Sequence, residues 1–412
     1  MCLYKGGGIM RRLILILLSF LIVISLTAGC GKKDKPVENR PMFEPSGYID
    51  VLDKNGTPIG KIDDRAACTA CDEGIFYSVF ELSETQSTAP AQYHLFRAFN
   101  GEDIFFGTLE DQGYEAMFSR TELDAKIYTL ALSGNPFDDS PDTLWLLCFD
   151  CKAGTMSRHA VSKYGFPYAS MTEYGGKLII MNHEMTAKKR DKLYEFDPQS
   201  GKLSVVRSID PTGEKTDFSL RGVCADKNNL YLLKLRVISD QPAELILETC
   251  DKQYNTVSEV SLNELYASTA LKINGILGEV DVKNEMGMPV SGFEIVDGKY
   301  MFYENFGLVR MIGNLETRKS IFRRDDLYSM SLGSGRPVFY KIDFGFSDDE
   351  GERLQIFTLG DGEVENVSFT PADNRNLLRE VSISPAGTWV VRTAEKDPRS
   401  GGAQALYVWK AQ

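Results

Sequence analysis

Histidine is scarce in this 412-residue chain: there are three, His94, His159 and His183. They fall at unrelated positions, so a metal or acid–base site built on clustered imidazoles has little to draw on. His183-Glu184 lacks the second histidine that an HExxH zinc helix needs. Runs of positive charge are also short. Lys188-Lys189-Arg190 is the longest, in a chain of net charge −12. A protein this acidic, with no basic stripe, is a poor nucleic-acid binder. Sustained helical periodicity is nearly missing. No nucleophile elbow, P-loop or dinucleotide fingerprint stands in a fitting context, and Gly6-Gly7-Gly8 precedes a hydrophobic leader rather than a phosphate loop. Neither a metal nor a cofactor is expected.

Only one long apolar run exists. Arg11 and Arg12 precede Leu13 to Ile24, which is apolar except for Ser19. That is the length of a signal-peptide core and short for a bilayer span. Leu26-Thr27-Ala28-Gly29-Cys30 follows. Small residues let the chain enter a peptidase cleft in extended form, and a cysteine directly after them resembles the lipobox of bacterial lipoproteins. The resemblance implies cleavage of a signal peptide, residues 1–29, and lipidation of Cys30 by diacylglycerol and a further acyl chain such as palmitate. Cys30 would then anchor the protein in the lipid bilayer at the extracytoplasmic face of the cell membrane. Two or more acyl chains hold stably where one does not. An ordinary secretory signal or an N-terminal transmembrane helix is the alternative. Lys5-Gly6-Gly7 reads back as a purine-rich ribosome-binding sequence, so Met10 is expected to be the true start; a peptide containing Cys2 to Ile9 would refute that. Loss of residues 1–29 removes Lys5, Arg11 and Arg12 and no acids, which takes the net charge from −12 to −15. Residues 30–46 read as the lipidated cysteine and a flexible tether.

Six cysteines remain: Cys68, Cys71, Cys148, Cys151, Cys224 and Cys250. Two CxxC pairs would ordinarily suggest zinc. Here neither pair shows a Pro/Gly knuckle, and Cys148 and Cys151 straddle a strand end and its turn. Buried thiols acting as small hydrophobes are the better reading, with a disulfide in an exported chain second.

From Tyr48 onward a turn followed by an apolar strand recurs seven times. The strands begin at Ile75, Ile127, Leu178, Leu230, Tyr300, Val338 and Trp389, separated by steps of 52, 51, 52, 70, 38 and 51 residues. The long step holds an insertion at about 261–290, where Leu262 to Tyr266 suggests a helical turn. Between copies lies a second hairpin. Leu193 to Leu203 and Leu147 to Thr155 are matched copies, and Thr249 to Asn255 and Leu359 to Glu363 are looser ones. Aspartate can cap such turns with its own carboxylate, and glycine supplies the positive φ.

Each repeat thus holds four antiparallel strands, a unit with open edges and an uncovered face. Radial repetition solves both problems, and repeats of this length resemble β-propellers. The expected fold is all-β, a seven-bladed propeller over residues 47–412, with six or eight blades still open because the insertion could hide strands. Arg379 to Ala394 is followed by a single strand, Leu406 to Trp409, so the last blade lacks its outer strand. The hairpin Tyr48 to Ile62 is expected to close it, with Thr57 to Ile62 completing the blade and Tyr48 to Leu52 packed beside it.

The loops after the second strand of each blade are long and converge on one face, where binding residues usually sit. Candidate ligand-face residues there are Asp138, Asp139, His183, Lys188, Arg190, Asp348, Asp349 and Arg399; solvated loops are the bland alternative. Ser384-Pro385-Ala386-Gly387-Thr388 resembles the S-P-D-G turn of TolB-type propellers, with Ala386 in place of the aspartate. Trp145, Trp389 and Trp409 are too few for the docked blades of quinoprotein dehydrogenases, which puts a quinone in doubt. Three functions fit. The first is a non-catalytic binding or scaffolding module for a protein, peptide or glycan. The second is a carbohydrate-active lyase or hydrolase using carboxylates at the propeller mouth. The third is a TolB-like envelope assembly component with a membrane partner. Two carboxylates in one concave pocket would favour the second.

Overall fold

A computed structural model of the chain describes residues 45, 47–80, 88–113, 119–133, 143–165, 168–184, 190–209, 216–238, 243–265, 270–272, 290, 292–305, 309–321, 328–332, 336–341, 356–359, 364–367, 369, 371, 377–394 and 404–411. These form seven sheets arranged as a seven-bladed β-propeller. The first blade runs Ala67–Cys71, Gly74–Phe80, Thr88–Arg97 and Glu102–Gly113, from the axis outward. The second uses Arg120–Leu123, Lys126–Ser133, Thr143–Asp150 and Thr155–Ser162; the third Ser170–Tyr174, Lys177–Glu184, Arg190–Asp197 and Lys202–Ile209. Thr216–Ala225, Leu230–Ile238, Glu244–Cys250 and Thr256–Ser261 make the fourth. The sixth holds Tyr328–Ser331, Val338–Lys341, Ile356–Leu359 and Val364–Asn366.

Every second strand begins at or within one residue of the apolar repeat read from the sequence. The hairpin turns are built as their residues dictate. Asp197 Oδ1 accepts from the Gln199 and Ser200 amides at 2.9 and 3.3 Å, and Gly201 takes φ 66°. Asp150 and Asp251 repeat the device, with Oδ1 accepting at 2.8–3.0 Å from amides two to four residues on.

The fifth blade departs from the pattern. Its strands Gly292–Val296, Tyr300–Asn305 and Val309–Asn314 are regular, but the outer position is shared. Ala270–Lys272, from the insertion, pairs with Val309–Met311, and Lys319–Ser320 pairs with Gly313–Asn314. The insertion therefore adds a strand to a blade whose own outer strand is two residues long. Residues 263–265 form the expected helical turn.

Closure differs from expectation in one respect. The last blade is Leu377–Ile383, Thr388–Ala394, Gln404–Lys410, then Tyr48–Leu52 and, outermost, Pro58–Asp63. Tyr48–Leu52, not the following strand, completes it, parallel to Gln404–Lys410 with Val51 opposite Leu406. Burial decides this choice: Ile49, Val51 and Leu52 are all enclosed, whereas Ile62 is the only apolar residue fully covered in the second strand. Direction explains the second strand. A parallel strand ends beside Tyr407 at the turn face, while the first blade's inner strand starts at the opposite face, so Pro58–Asp63 carries the chain back. Several hydrogen bonds lock the seam. Arg392 donates to the Ala66 carbonyl at 3.0 Å, Ser382 Oγ accepts from the Ala70 amide at 2.9 Å, and Asp72 Oδ1 accepts from the Ala386 amide at 2.9 Å.

Candidate functional site

The inner strands enclose an axial cavity of 310 Å³, lined by the first, second, sixth and seventh blades. A lobe of 110 Å³ shares Arg120 and Leu332 with it and extends under the third, fourth and fifth blades. Arg120, Glu122 and Glu380 line the larger cavity, beside the buried Cys68 thiol.

Strand alternation explains the first two. Residues two apart on a strand share a face, so Arg120 and Glu122, on the inner strand of the second blade, point the same way, toward the first blade. Arg120 Nη2 donates to the Ala70 carbonyl, and Glu122 Oε2 accepts from the Asp72 amide at 2.9 Å. Their other atoms are different. Arg120 Nη1 and Glu122 Oε1 are shut away from water and meet no hydrogen-bond partner among the described residues. Glu380, on the inner strand of the seventh blade, makes no hydrogen bond to a described residue; Arg392 and Arg120 are the cations that act on it.

Burial sets the protonation. Desolvation pushes the Glu122 carboxyl up to about 7, against the opposing pull of Arg120 and the Asp72 amide. Desolvation also raises Glu380, again opposed by Arg392 and Arg120. Burial costs the charged form, and here the cations return only part of that. Near neutral pH the cavity thus holds a carboxyl poised between its two forms, the property expected of a group that donates or accepts a proton in a reaction. Thr69, Ser331 and Ser382 add hydroxyls, and Leu332, Ile383 and Pro385 add apolar wall.

The candidate ligand-face residues fare unevenly. Asp138, Asp139, Lys188, Asp348, Asp349 and Arg399 lie outside the described residues. Arg190 opens the third strand of its blade, opposite Glu184, and only its backbone is described. His183 sits at the end of the neighbouring strand, paired to the Asp191 carboxylate, which also accepts from the Leu220 amide of the fourth blade. That contact ties two blades together. The other histidines lie in two further blades: His94 stacks on Tyr77 at 4.7 Å, and His159 packs on Phe196 at 4.8 Å. Among the described residues no group of three or more His, Cys, Asp and Glu side chains is placed to hold a metal ion. The six described cysteines are free thiols. All but Cys148 are buried, and burial pushes Cys151 up to about 12 and Cys71 well above the ordinary thiol value.

Arg120, Glu122 and Glu380 stand on inner strands rather than on the long loops and belong to no recognisable motif. A signal was present: charged residues on short inner strands, at alternate positions in Arg120-Thr121-Glu122 and side by side in Leu377-Leu378-Arg379-Glu380-Val381, where a packed axis would call for small or apolar ones.

No family model matches the chain, and no curated protein matches it. Solved structures of similar fold include the β-propeller domain of the Trilobed protease from Pyrococcus furiosus, at 11% identity over 72% of this chain and 82% of that one, with a TM-score of 0.37. A putative 6-phosphogluconolactonase from Bacteroides fragilis has 14% identity over 83% of this chain and 99% of that one, with a TM-score of 0.41. An acylaminoacyl peptidase from Pyrococcus horikoshii has 11% identity over 71% of this chain, with a TM-score of 0.40. This chain spans 44% of that peptidase's length. No activity passes from these proteins to this one.

Proposed function

We propose that this chain is a lipid-anchored, extracytoplasmic binding module, whose propeller holds its ligand at the axial cavity without transforming it. One observation carries the reading: Arg120, Glu122 and Glu380 line one cavity of ligand-accepting size, the Glu380 carboxyl meets no hydrogen bond from the described residues, and Arg120 Nη1 and Glu122 Oε1 are buried beside it with no partner among them. Buried polar groups are otherwise nearly always paired, and an exception asks for a reason. A site awaiting a ligand supplies one. The lipobox at Leu26 to Cys30 supports the anchor. Growth with an alkyne-tagged fatty acid should label the protein, and Cys30→Ala should abolish the label; equal labelling of both would remove the anchor. Thermal unfolding of the full chain against panels of saccharides, peptides and divalent metals tests the binding. A ligand at about a hundred times its Kd stabilises by about 2.7 kcal/mol, and no shift with any class would count against the reading.

A second reading is a carbohydrate-active lyase or hydrolase, favoured by the meeting of Glu122 and Glu380 in one concave cavity with Glu122 up to about 7. A carboxyl protonated near neutrality is suited to act as a general acid. Product release from a bound oligosaccharide, lost in Glu122→Gln, would establish it over simple binding.

A further inference from the structure

We propose that Cys71 and Cys151 are a disulfide-forming pair, joined across the interface of the first two blades when the chain folds outside the reducing cytoplasm. The inference goes beyond the binding reading and takes from it only the extracytoplasmic placement, where disulfides persist.

The two CxxC motifs are each split by the fold. Residues three apart on a strand face opposite sides. Cys68 accordingly packs with Ile62, Tyr77 and Val408, where the first blade meets the seventh, while Cys71 joins the cluster of Phe76 and Phe149, where the first blade meets the second. Cys148 is hydrogen-bonded to the Tyr128 hydroxyl, and the Tyr128 ring packs on Phe196 of the third blade. Phe149 turns the other way, onto Phe76 and Tyr93 of the first blade at 4.9 Å each. Cys151, in the turn just beyond, is buried in that same cluster. Cys224 and Cys250 belong to two other clusters. Among the described residues, Cys71 and Cys151 are thus the two fully buried thiols that share a core, and each comes from a different motif.

Local contacts draw their backbones together. Arg97 ends the third strand of the first blade. Its Nε donates to Glu73 Oε2 at 2.8 Å and its Nη2 to the Cys151 carbonyl at 2.6 Å. Glu73 stands two residues past Cys71, and its amide reaches the Cys71 sulfur. On the other side, Glu122 accepts from the Asp72 amide at 2.9 Å, and its charge is felt by both thiols. The Cys151 sulfur is itself among the groups that act on Cys71. One guanidinium and one carboxyl therefore bridge the two cysteine backbones, with both sulfurs in the apolar space between.

Burial fixes when the bond can form. Both folded thiols are held above their ordinary value, and the thiolate is the form that reacts. Oxidation therefore belongs to the folding chain, while both sulfurs still meet water. One cysteine thiolate attacks a disulfide-bearing donor and expels one donor thiol. The second cysteine attacks the mixed disulfide and expels the other. The pair gives up two electrons and two protons, and the donor disulfide becomes two thiols. Once the blades close, the same burial keeps reductants out. The bond would link positions 80 apart, a long loop whose closure restricts the unfolded chain. It would also brace the Asp72-Glu73 turn that holds Glu122 beside the axial cavity.

The experiment is peptide mapping of the full chain, expressed with its own leader, purified without reductant and unfolded in an alkylating agent. A peptide containing Cys71 should be linked to one containing Cys151, and reduction should separate them. Cys148→Ser should keep the link. Reduction should lower the unfolding midpoint by about 5 °C or more; an unchanged midpoint after loss of the link overturns the bracing role. In a second arm the reduced, unfolded chain is refolded with glutathione and its disulfide. A link formed there but absent from cells upholds the pair and overturns the extracytoplasmic placement. No link in either arm overturns the pair and leaves the placement to the fatty-acid label. A link within Cys68/Cys71 or Cys148/Cys151 overturns the pair outright.

Discussion

Two regions of the propeller bury glutamate carboxyls, and they do opposite things with them. At the seam between the third and fourth blades, Glu248 is wholly enclosed. It is held by Arg207 at 2.7 Å, by Lys234 at 2.9 Å, and by the Thr256 hydroxyl. Burial alone would raise this carboxyl, yet the Thr256, Lys234 and Arg207 hydrogen bonds together bring it down to about 2. At the axis, Glu122 has one backbone donor and Glu380 has none among the described residues, and both are raised. The same fold and the same residue type give an anion in one place and a carboxyl poised near neutrality in the other. Burial is common to both; what differs is whether the partners repay it. A buried carboxylate paired with two cations and a hydroxyl reads as architecture. One left short of partners beside a cavity reads as a site.

Removal of the partner-rich carboxylate gives the sharpest break in this comparison. Glu248→Ala leaves Lys234 and Arg207 facing a buried gap, and is expected to cost about 3 kcal/mol, the low end of the range for breaking a buried ion pair, because Arg207 is partly exposed. Chemical denaturation would measure it; a loss below about 1 kcal/mol would show that the cluster does not hold the third and fourth blades together. Next in size is Ser382→Ala. It deprives the Ala70 amide of its acceptor at the closure seam, for about 1–2 kcal/mol. Glu122→Gln is expected to change stability least below pH 4.5, where the glutamate is uncharged both folded and unfolded, and to stabilise increasingly as pH rises to 7. A Glu122→Gln protein weaker than wild type at pH 8 would contradict the raised carboxyl.

The pH profile separates the two regions further. Glu248 titrates lower in the folded chain, at about 2, than its ordinary value of 4.5. It therefore adds stability that is present above pH 4.5 and is lost as pH falls toward 2. Glu122 has the reverse sign. Its folded value is up, at about 7, so its contribution is full below pH 4.5 and is lost as pH rises through 7. Glu248→Gln should flatten the acid limb alone, and Glu122→Gln the limb between pH 4.5 and 7 alone. Unfolding midpoints across that range would show whether either substitution flattens the wrong limb.

Much of this fold was legible from the chain. The seven turn-and-strand copies, the Asp-capped hairpins at Asp150, Asp197 and Asp251, and the need for a terminal strand to close the ring all follow from local pattern. A hairpin's residues are neighbours in sequence, so its chemistry is written in one place. The partner of Tyr48–Leu52 was less legible, because either strand of that hairpin carries an acceptable alternation, and only burial against Leu406 and the neighbouring blade separates them. The site was least legible. Its three charged groups come from positions 120, 122 and 380, and the last stands some 260 residues from the others.

By itself the sequence determined an acidic β-rich body and a repeat that must be arranged around an axis, since those depend on spacing and on the conformational limits of glycine and aspartate turns. The tertiary structure alone decided which carboxyls keep their charge. That depends on how many donors reach each oxygen once water has been excluded, and donors such as Arg207 and Lys234 arrive at Glu248 from another blade and another strand.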